Sequence, residues 1–480
     1  MIGGNYSKSV VGWNYESGFG KRKDRIPWED QRMRMFGQQD PETFRSGIFE
    51  YVMLDDETVE ITGIDVDGIS VLWIPAMLDG FPVTSVGEGA CEQNWELESL
   101  TLSEGITRIR EYAFSFSYAL TDLNLPETMT VLEPGAFFEC PELQRVRLPD
   151  SLLEMDGAFS NCKSLLGFCV SPEHPGFLDV DGVLFSRDRS TLFCYPCGRP
   201  GETYSIPAGT ECIANYAFEG AAQLKTVRIP DSVFVIEESA FEQCGKLQEI
   251  IFPDSVRFLG EKVLYSCPAL TRVRLPAGLT RLGCSFFSGC SALVSVELPE
   301  FLTEIESFAF NGCSALRTLT IPANITRFGM HVFREMRSLE RFDVSPANPA
   351  YTTIGGALFT KDGKILLRYP PACPGDTFEV PPGTEALEQD AFRLAVHLRT
   401  VCLPEGLTEI NENAFYGCEQ LESIRLPESL AFIGAEAFMN CRCLTSISIP
   451  DHEVRIGKSA FAGCPSLPVD AVPAGSRKWS

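Results

Sequence analysis

A unit of 23 residues recurs through almost the whole chain, and that recurrence restricts the fold more than any other feature of the sequence. An Ala-Phe pair or a close variant stands at Ala113, Ala136, Ala158, Ala217, Ala240, Val263, Phe286, Ala309, Val332, Ala391, Ala414, Ala437 and Ala460. The rest of the unit is as regular: Leu270, Val273, Leu275, Pro276, Leu279 and Leu282 lead to Phe286 and Cys290, and Leu293, Val296, Leu298, Pro299, Leu302 and Ile305 lead to Ala309 and Cys313. In Leu-x-x-Val-x-Leu the last two apolar residues alternate, so they share one face of a short strand. The proline that follows removes a backbone donor and ends the strand. A second apolar pair, such as Leu279 and Leu282, carries the chain back across the opposite face. Alanine permits close approach between units and phenylalanine fills the space between them. One unit cannot bury these residues alone, so neighbours must stack.

At 480 residues the chain is too long for one ordinary core, and the repeat resolves this as a single body that grows along an axis. The spacing of the inserts subdivides it. Ala217 follows Ala158, and Ala391 follows Val332, by 59 residues, which is one unit plus 36. The two inserts match each other: Ser171, Pro172, Pro175, Gly182, Leu184, Phe185, Asp188, Tyr195, Pro196, Gly201 and Pro207 return 174 positions later as Ser345, Pro346, Pro349, Gly356, Leu358, Phe359, Asp362, Tyr369, Pro370, Gly375 and Pro381. Each reads as a β-hairpin island, at about residues 171–207 and 345–381. Residues 47–90 read as an N-terminal cap that begins with a hairpin around Asp55-Asp56-Glu57. Residues 1–46 form a polar extension with Lys21-Arg22-Lys23, Trp13, Tyr15 and Trp28; 47–473 form one solenoid; 474–480 form a tail.

The pattern in LESIRLPESLAFIGAEAFMNC resembles the BspA-like (Treponema pallidum type) leucine-rich repeats, from about Gly47 to Pro473. The resemblance implies a leucine-rich-repeat solenoid, β-rich and curved, with a parallel sheet on the concave face and short turns or helical turns outside. It also implies a bacterial protein, in a family whose members are often cell-surface adhesins or host-matrix binders.

Nine cysteines hold one place in the unit: Cys140, Cys162, Cys244, Cys267, Cys290, Cys313, Cys418, Cys441 and Cys464. The same column elsewhere holds Asn94, Ser117, Ala221, Met336 and Ala395; a place that accepts serine, alanine or cysteine calls for a small buried side chain, and free cysteine meets that need. Reduced thiols in such a column suit a reducing compartment. Cys194 and Cys197 have the spacing of a thiol–disulfide oxidoreductase pair, but the second island replaces them with Arg368 and Pro371 while keeping Tyr-Pro. Asp65, Asp67, Asp179 and Asp181 lack the further acidic ligands of a calcium loop and read as turns. The histidines His174, His331, His397 and His452 lie far apart, and no nucleophile elbow, zinc motif or phosphate loop occurs. These features predict no catalytic residue, cofactor or metal.

The net charge of −25 opposes phosphate backbones and anionic membrane surfaces, which excludes non-specific nucleic-acid binding. No apolar run approaches the roughly 20 residues that span a bilayer. The first residues lack the apolar stretch of a secretory signal, so the sequence as written reads as cytoplasmic, or as cell-surface or secreted if the native start lies upstream. On the strands, the variable positions hold Arg145, Arg147, Arg228, Arg272, Arg274, Arg341 and Arg425, interrupted by Cys169, Ile251, Glu297 and Cys402. These arginines are either a basic binding stripe on the concave face or cross-strand partners of Glu249, Glu297 and Glu422. The function expected is a non-enzymatic scaffold that binds a protein or another macromolecule through this face and the islands.

Overall fold

The computed structural model describes residues 42–468 and 471–472. The basic run and aromatics of residues 1–41 and the tail 474–480 lie outside the described residues. Each unit closes into one coil of a β-solenoid, and three walls join it to the next coil.

The front wall is the Leu-x-x-Val-x-Leu segment. Thr226–Arg228 pairs in parallel with Glu249–Ile251, which pairs with Arg272–Arg274. The central Val227, Ile250 and Val273 point inward and are buried, whereas the flanking residues reach solvent. Pro230, Pro253 and Pro276 end the strands, and their carbonyls accept the N–H of Val233, Val256 and Leu279 at 3.1 Å. That turn sends the chain to a back wall of two-residue strands, Cys212–Ile213, Val235–Ile236 and Phe258–Leu259, again paired in parallel. Beyond the short turns expected outside the front sheet, this side therefore carries a ladder of its own.

The third wall is a bend, and no α-helix occurs among the described residues. Two residues per bend take the left-handed conformation: Ser239 and Gln243 at φ 56° in one coil, Lys262 and Ser266 at φ 53° and 55° in the next. These reversals aim alternate amides along the stacking axis. Ser239, Phe241 and Gln243 donate to the carbonyls of Glu261, Val263 and Tyr265 at 2.9, 3.0 and 2.8 Å. All three walls thus use the following coil to satisfy buried backbone groups.

Inside, the phenylalanines of successive coils stack face to face. Phe392, Phe415, Phe438 and Phe461 follow one another at 4.8, 4.9 and 5.2 Å with rings within 8° of parallel. Close approach has a second signature. A Cβ added to Gly329 would lie 2.2 Å from the Ser307 nitrogen of the preceding coil, and one added to Gly434 would lie 2.4 Å from that of Glu412. Gly329→Ala is therefore expected to force its coil away from the one below and to cost about 2 kcal/mol, read by urea denaturation. An unchanged midpoint would mean that the coils are not packed this closely.

The cap starts earlier than the sequence boundary at residue 47, because Thr43–Ser46 already pairs antiparallel with Phe49–Met53. That strand pairs antiparallel with Val59–Ile64, which joins the back ladder through Phe81–Val86. In the first insert, Phe177–Val180, Val183–Ser186 and Thr191–Cys194 form an antiparallel sheet whose last strand enters the back ladder beside Cys212–Ile213. Tyr351–Ile354, Ala357–Thr360 and Ile365–Arg368 do the same in the second. The shared Tyr-Pro has a structural role: the Tyr195 and Tyr369 rings stack on Phe218 and Phe392, each at 5.1 Å, in the place a phenylalanine holds elsewhere.

One further pair of equivalent positions anchors the inserts. His174 Nδ1 accepts the N–H of Gly176 and Phe177 at 3.1 and 3.0 Å, so its proton is on Nε2, which donates to the Pro149 carbonyl at 3.1 Å. Asn348, 174 positions later, accepts from Ala350 and Tyr351 and donates to the carbonyls of Pro322 and Ile325. A neutral imidazole and a carboxamide perform the same task here, each fully buried.

Candidate functional site

The ladder register fixes where the seven arginines stand. Arg145 and Arg147 flank Val146 on the strand beside Gly167–Cys169; Arg228, Arg272 and Arg274 lie between the two islands; Arg341 borders the second island; Arg425 lies beyond it. All seven are exposed on the front face. They do not make one stripe, because Gly167–Cys169 does not pair with Thr203–Ser205 across the first island, nor Arg341–Val344 with Thr377–Glu379 across the second.

Four of the seven are matched by acids. Arg147 reaches Glu127 at 2.7 Å, Arg274 reaches Asp254 at 2.7 Å, Arg272 reaches Glu249 at 3.4 Å and Arg341 reaches Asp343 at 3.2 Å. Exposed pairs of this kind contribute little to stability but set local charge balance. Arg145, Arg228 and Arg425 have no ion-pair partner among the described residues. The four interrupting residues are each register neighbours of an arginine: Cys169 of Arg147, Ile251 of both Arg228 and Arg274, Glu297 of Arg274 and Cys402 of Arg425. Ile251, 47% exposed, joins Thr203, Thr226, Arg228 and Glu249 around a shallow depression on the stretch between the islands.

The sequence reading missed two exposed apolar groups. Val71 and Trp73 face solvent on the first front strand, and Trp95 stacks on Tyr118 at 4.3 Å one coil away. Phe234 and Phe258 are exposed on the back wall. The alternation in Val71-Leu-Trp73-Ile could have shown the first; nothing local distinguishes the second from core residues.

The thiols of the column are buried, whereas Cys169 and Cys402 are exposed on the front strands. Each column cysteine is at most 5% exposed, and each donates its S–H to a carbonyl of the preceding coil at 3.0–3.4 Å. The thiols thus add a donor at a place that Ala221 and Ala395 fill without one. Cys197 points the other way along the stack, donating to the Glu219 carbonyl of the following coil at 3.0 Å. Burial raises the pKa of both Cys194 and Cys197 well above the ordinary thiol value, the opposite of what a redox pair requires. Asp179 Oδ1 accepts the Gly182 N–H at 2.5 Å, which is turn chemistry. Among the described residues, no group of three His, Cys, Asp or Glu side chains is placed to hold a metal.

Where an island loops out, residues 59 apart become neighbours, and polar groups that look distant in sequence converge. His331 Nδ1 lies 3.1 Å from Asp390, and Arg393, itself 6% exposed, reaches Glu335 at 3.2 Å and covers the Tyr416 ring at 4.0 Å. Buried Arg368 donates to the carbonyls of Asp390 and Arg393, and burial lowers its pKa to about 10. At the first island Asn215 donates to Asp156 at 2.7 Å, and burial raises that carboxyl to about 6. Glu219, one coil from Glu242 in the same column, is raised to about 8 by burial and by the Glu242 charge. Titratable groups far apart in the sequence therefore meet at these junctions.

The family sequence pattern described as BspA type leucine rich repeat region matches residues 83–174, 192–286, 259–366 and 372–474, in six copies. The chain belongs to the BspA-type leucine-rich repeat family. Its coils resemble those of solved repeat proteins at low identity. A leucine-rich repeat protein from Eubacterium ventriosum is 19% identical with a TM-score of 0.42, covering 85% of this chain and 95% of its own. A leucine rich cell surface protein from Faecalibacterium prausnitzii is 22% identical with a TM-score of 0.40, over 90% and 94%. The Treponema pallidum leucine-rich repeat protein is 20% identical with a TM-score of 0.21, over 57% and 91%. None of the curated proteins matches the sequence. No helix among the described residues is long and apolar enough to cross a membrane.

Proposed function

We propose that this BspA-type chain is a non-enzymatic scaffold that binds a protein partner with the front face between its two islands. The observation that carries this reading is the side-chain mixture there: unpaired Arg228 beside exposed Ile251, with Arg272 and Arg274 one coil further on at 80% and 57% side-chain exposure. Arginine is enriched at protein contacts. The two antiparallel inserts bound this stretch, and insertions on one surface of a repeat protein are frequent recognition elements. The shallow depression suits a polypeptide surface better than an enclosed small ligand. The raised pKa of Cys194 and Cys197 weighs against thiol–disulfide exchange as the activity.

The test is the combined reversal Arg228→Glu, Arg272→Glu and Arg274→Glu, with folding checked by circular dichroism. Partners captured by the wild-type chain from native lysate and from extracellular material should be recovered at least ~10-fold less well by the variant. Recovery at wild-type level would overturn this face as the site.

A further inference from the structure

We propose that the stacked thiols of the last two coils, Cys441 and Cys464, are a disulfide site, joined when the chain meets an oxidising small-molecule disulfide. They occupy the same place in the unit one coil apart, donating to the carbonyls of Phe415 and Phe438 at 3.2 and 3.0 Å. The backbone beside them is held at that spacing: Phe438 and Asn440 donate their N–H to Ala460 and Ala462 at 2.7 and 2.8 Å, and the Phe438 and Phe461 rings stack at 5.2 Å. Stacked coils lie about 4.8 Å apart. This falls within the Cα separation of roughly 4.4–6.8 Å that a disulfide bridges.

Pairing would remove two S–H donors without stranding either acceptor. The Phe415 carbonyl also accepts the Cys418 N–H at 3.2 Å, and the Phe438 carbonyl accepts the Cys441 N–H at 3.3 Å. Among the column pairs this one is singled out by position. Cys464 is the outermost member and 5% exposed, whereas Cys418 and Cys441 are completely buried. End coils open most readily, and opening is what a buried thiol needs to react.

The chemistry balances with a glutathione-type disulfide as oxidant. The Cys464 thiol loses its proton to solvent during an opening, attacks one sulfur of oxidised glutathione, and releases one glutathione thiolate. The Cys441 thiolate then attacks the Cys464 Sγ of the mixed disulfide, forming the Sγ–Sγ bond and releasing the second glutathione thiolate. Two protein thiols are oxidised and one small disulfide is reduced. The product is a loop of about one unit closed around the final coil, a covalent clasp on the open end of the stack.

The experiment exposes the full chain to oxidised or reduced glutathione, maps peptides without reduction, and follows proteolysis of the last coil. The expected result is a linked Cys441–Cys464 peptide and cleavage slowed by roughly tenfold in the oxidised sample. Cys464→Ser, a residue type the column already accepts at Ser117, should lose both effects, whereas Cys418→Ser should keep both. The proposal is overturned if glutathione adds only to exposed Cys169 and Cys402 while the column stays free, or if the linked peptide forms and cleavage is not slowed.

Discussion

Phe415→Ala should lower the unfolding free energy by about 4 kcal/mol, the middle of the range for truncating a buried aromatic residue. Phe415 has no exposed surface and stacks on both neighbours, Phe392 at 4.8 Å and Phe438 at 4.9 Å. Removing the ring opens a void that the adjacent coils cannot close, because three walls of inter-coil hydrogen bonds hold them at a fixed separation. In a solenoid each coil contacts only its neighbours, so the loss should also weaken cooperation across the gap. Urea unfolding followed by far-ultraviolet circular dichroism should show an earlier and broader transition. A loss below about 1 kcal/mol would mean that the phenylalanine stack is not what couples the coils.

Replacing Glu219 by glutamine should change the pH dependence of stability more than any other single substitution at the first island. Its carboxyl is 5% exposed, and burial raises its pKa from 4.5 to about 8. An acid so raised stays protonated in the folded chain while the unfolded chain ionises. Its contribution is therefore complete below about pH 4.5, shrinks as the pH rises, and is lost once the pH passes about 8. Glu242 in the next coil is raised in the same direction, mainly by burial. Glu219→Gln keeps the shape and cannot ionise. The variant should match the wild-type chain near pH 4 and exceed it by on the order of 3 kcal/mol near pH 9. Urea midpoints that shift in parallel for the two chains would show that Glu219 is not held neutral.

How far the sequence carried these conclusions depends on the distance between partners. The front strands were legible because alternation and the following proline are local signals, as in Thr271-Arg-Val-Arg-Leu-Pro276. The back ladder was not, since two apolar residues such as Leu279 and Leu282 fit a turn or a strand equally well. What makes Arg281–Leu282 a strand is Glu304–Ile305, one unit away. The cysteine column was readable as small and buried, but the acceptor of Cys267 is the Phe241 carbonyl, 26 residues earlier, so its donor role was not. The islands were visible through their 174-residue offset, yet the shared anchoring by His174 and Asn348 was hidden by their different chemistry. Each of the seven arginines lies next to a buried apolar residue on a front strand, where alternation turns it to solvent. Cross-strand pairing was one of the two expectations, and Arg272 with Glu249 meets it; Glu127 and Asp254 were not foreseen, because they reach Arg147 and Arg274 from the turn after the preceding strand.

The assignment of binding to the front face is tested most directly by hydroxyl-radical footprinting of the full chain, alone and with a partner captured from native material. The account predicts that modification of Ile251 and its surroundings on the front strands between the islands falls on binding, while Phe234 and Phe258 on the back wall react as before. Protection of Phe234 and Phe258, with Ile251 unchanged, would contradict it.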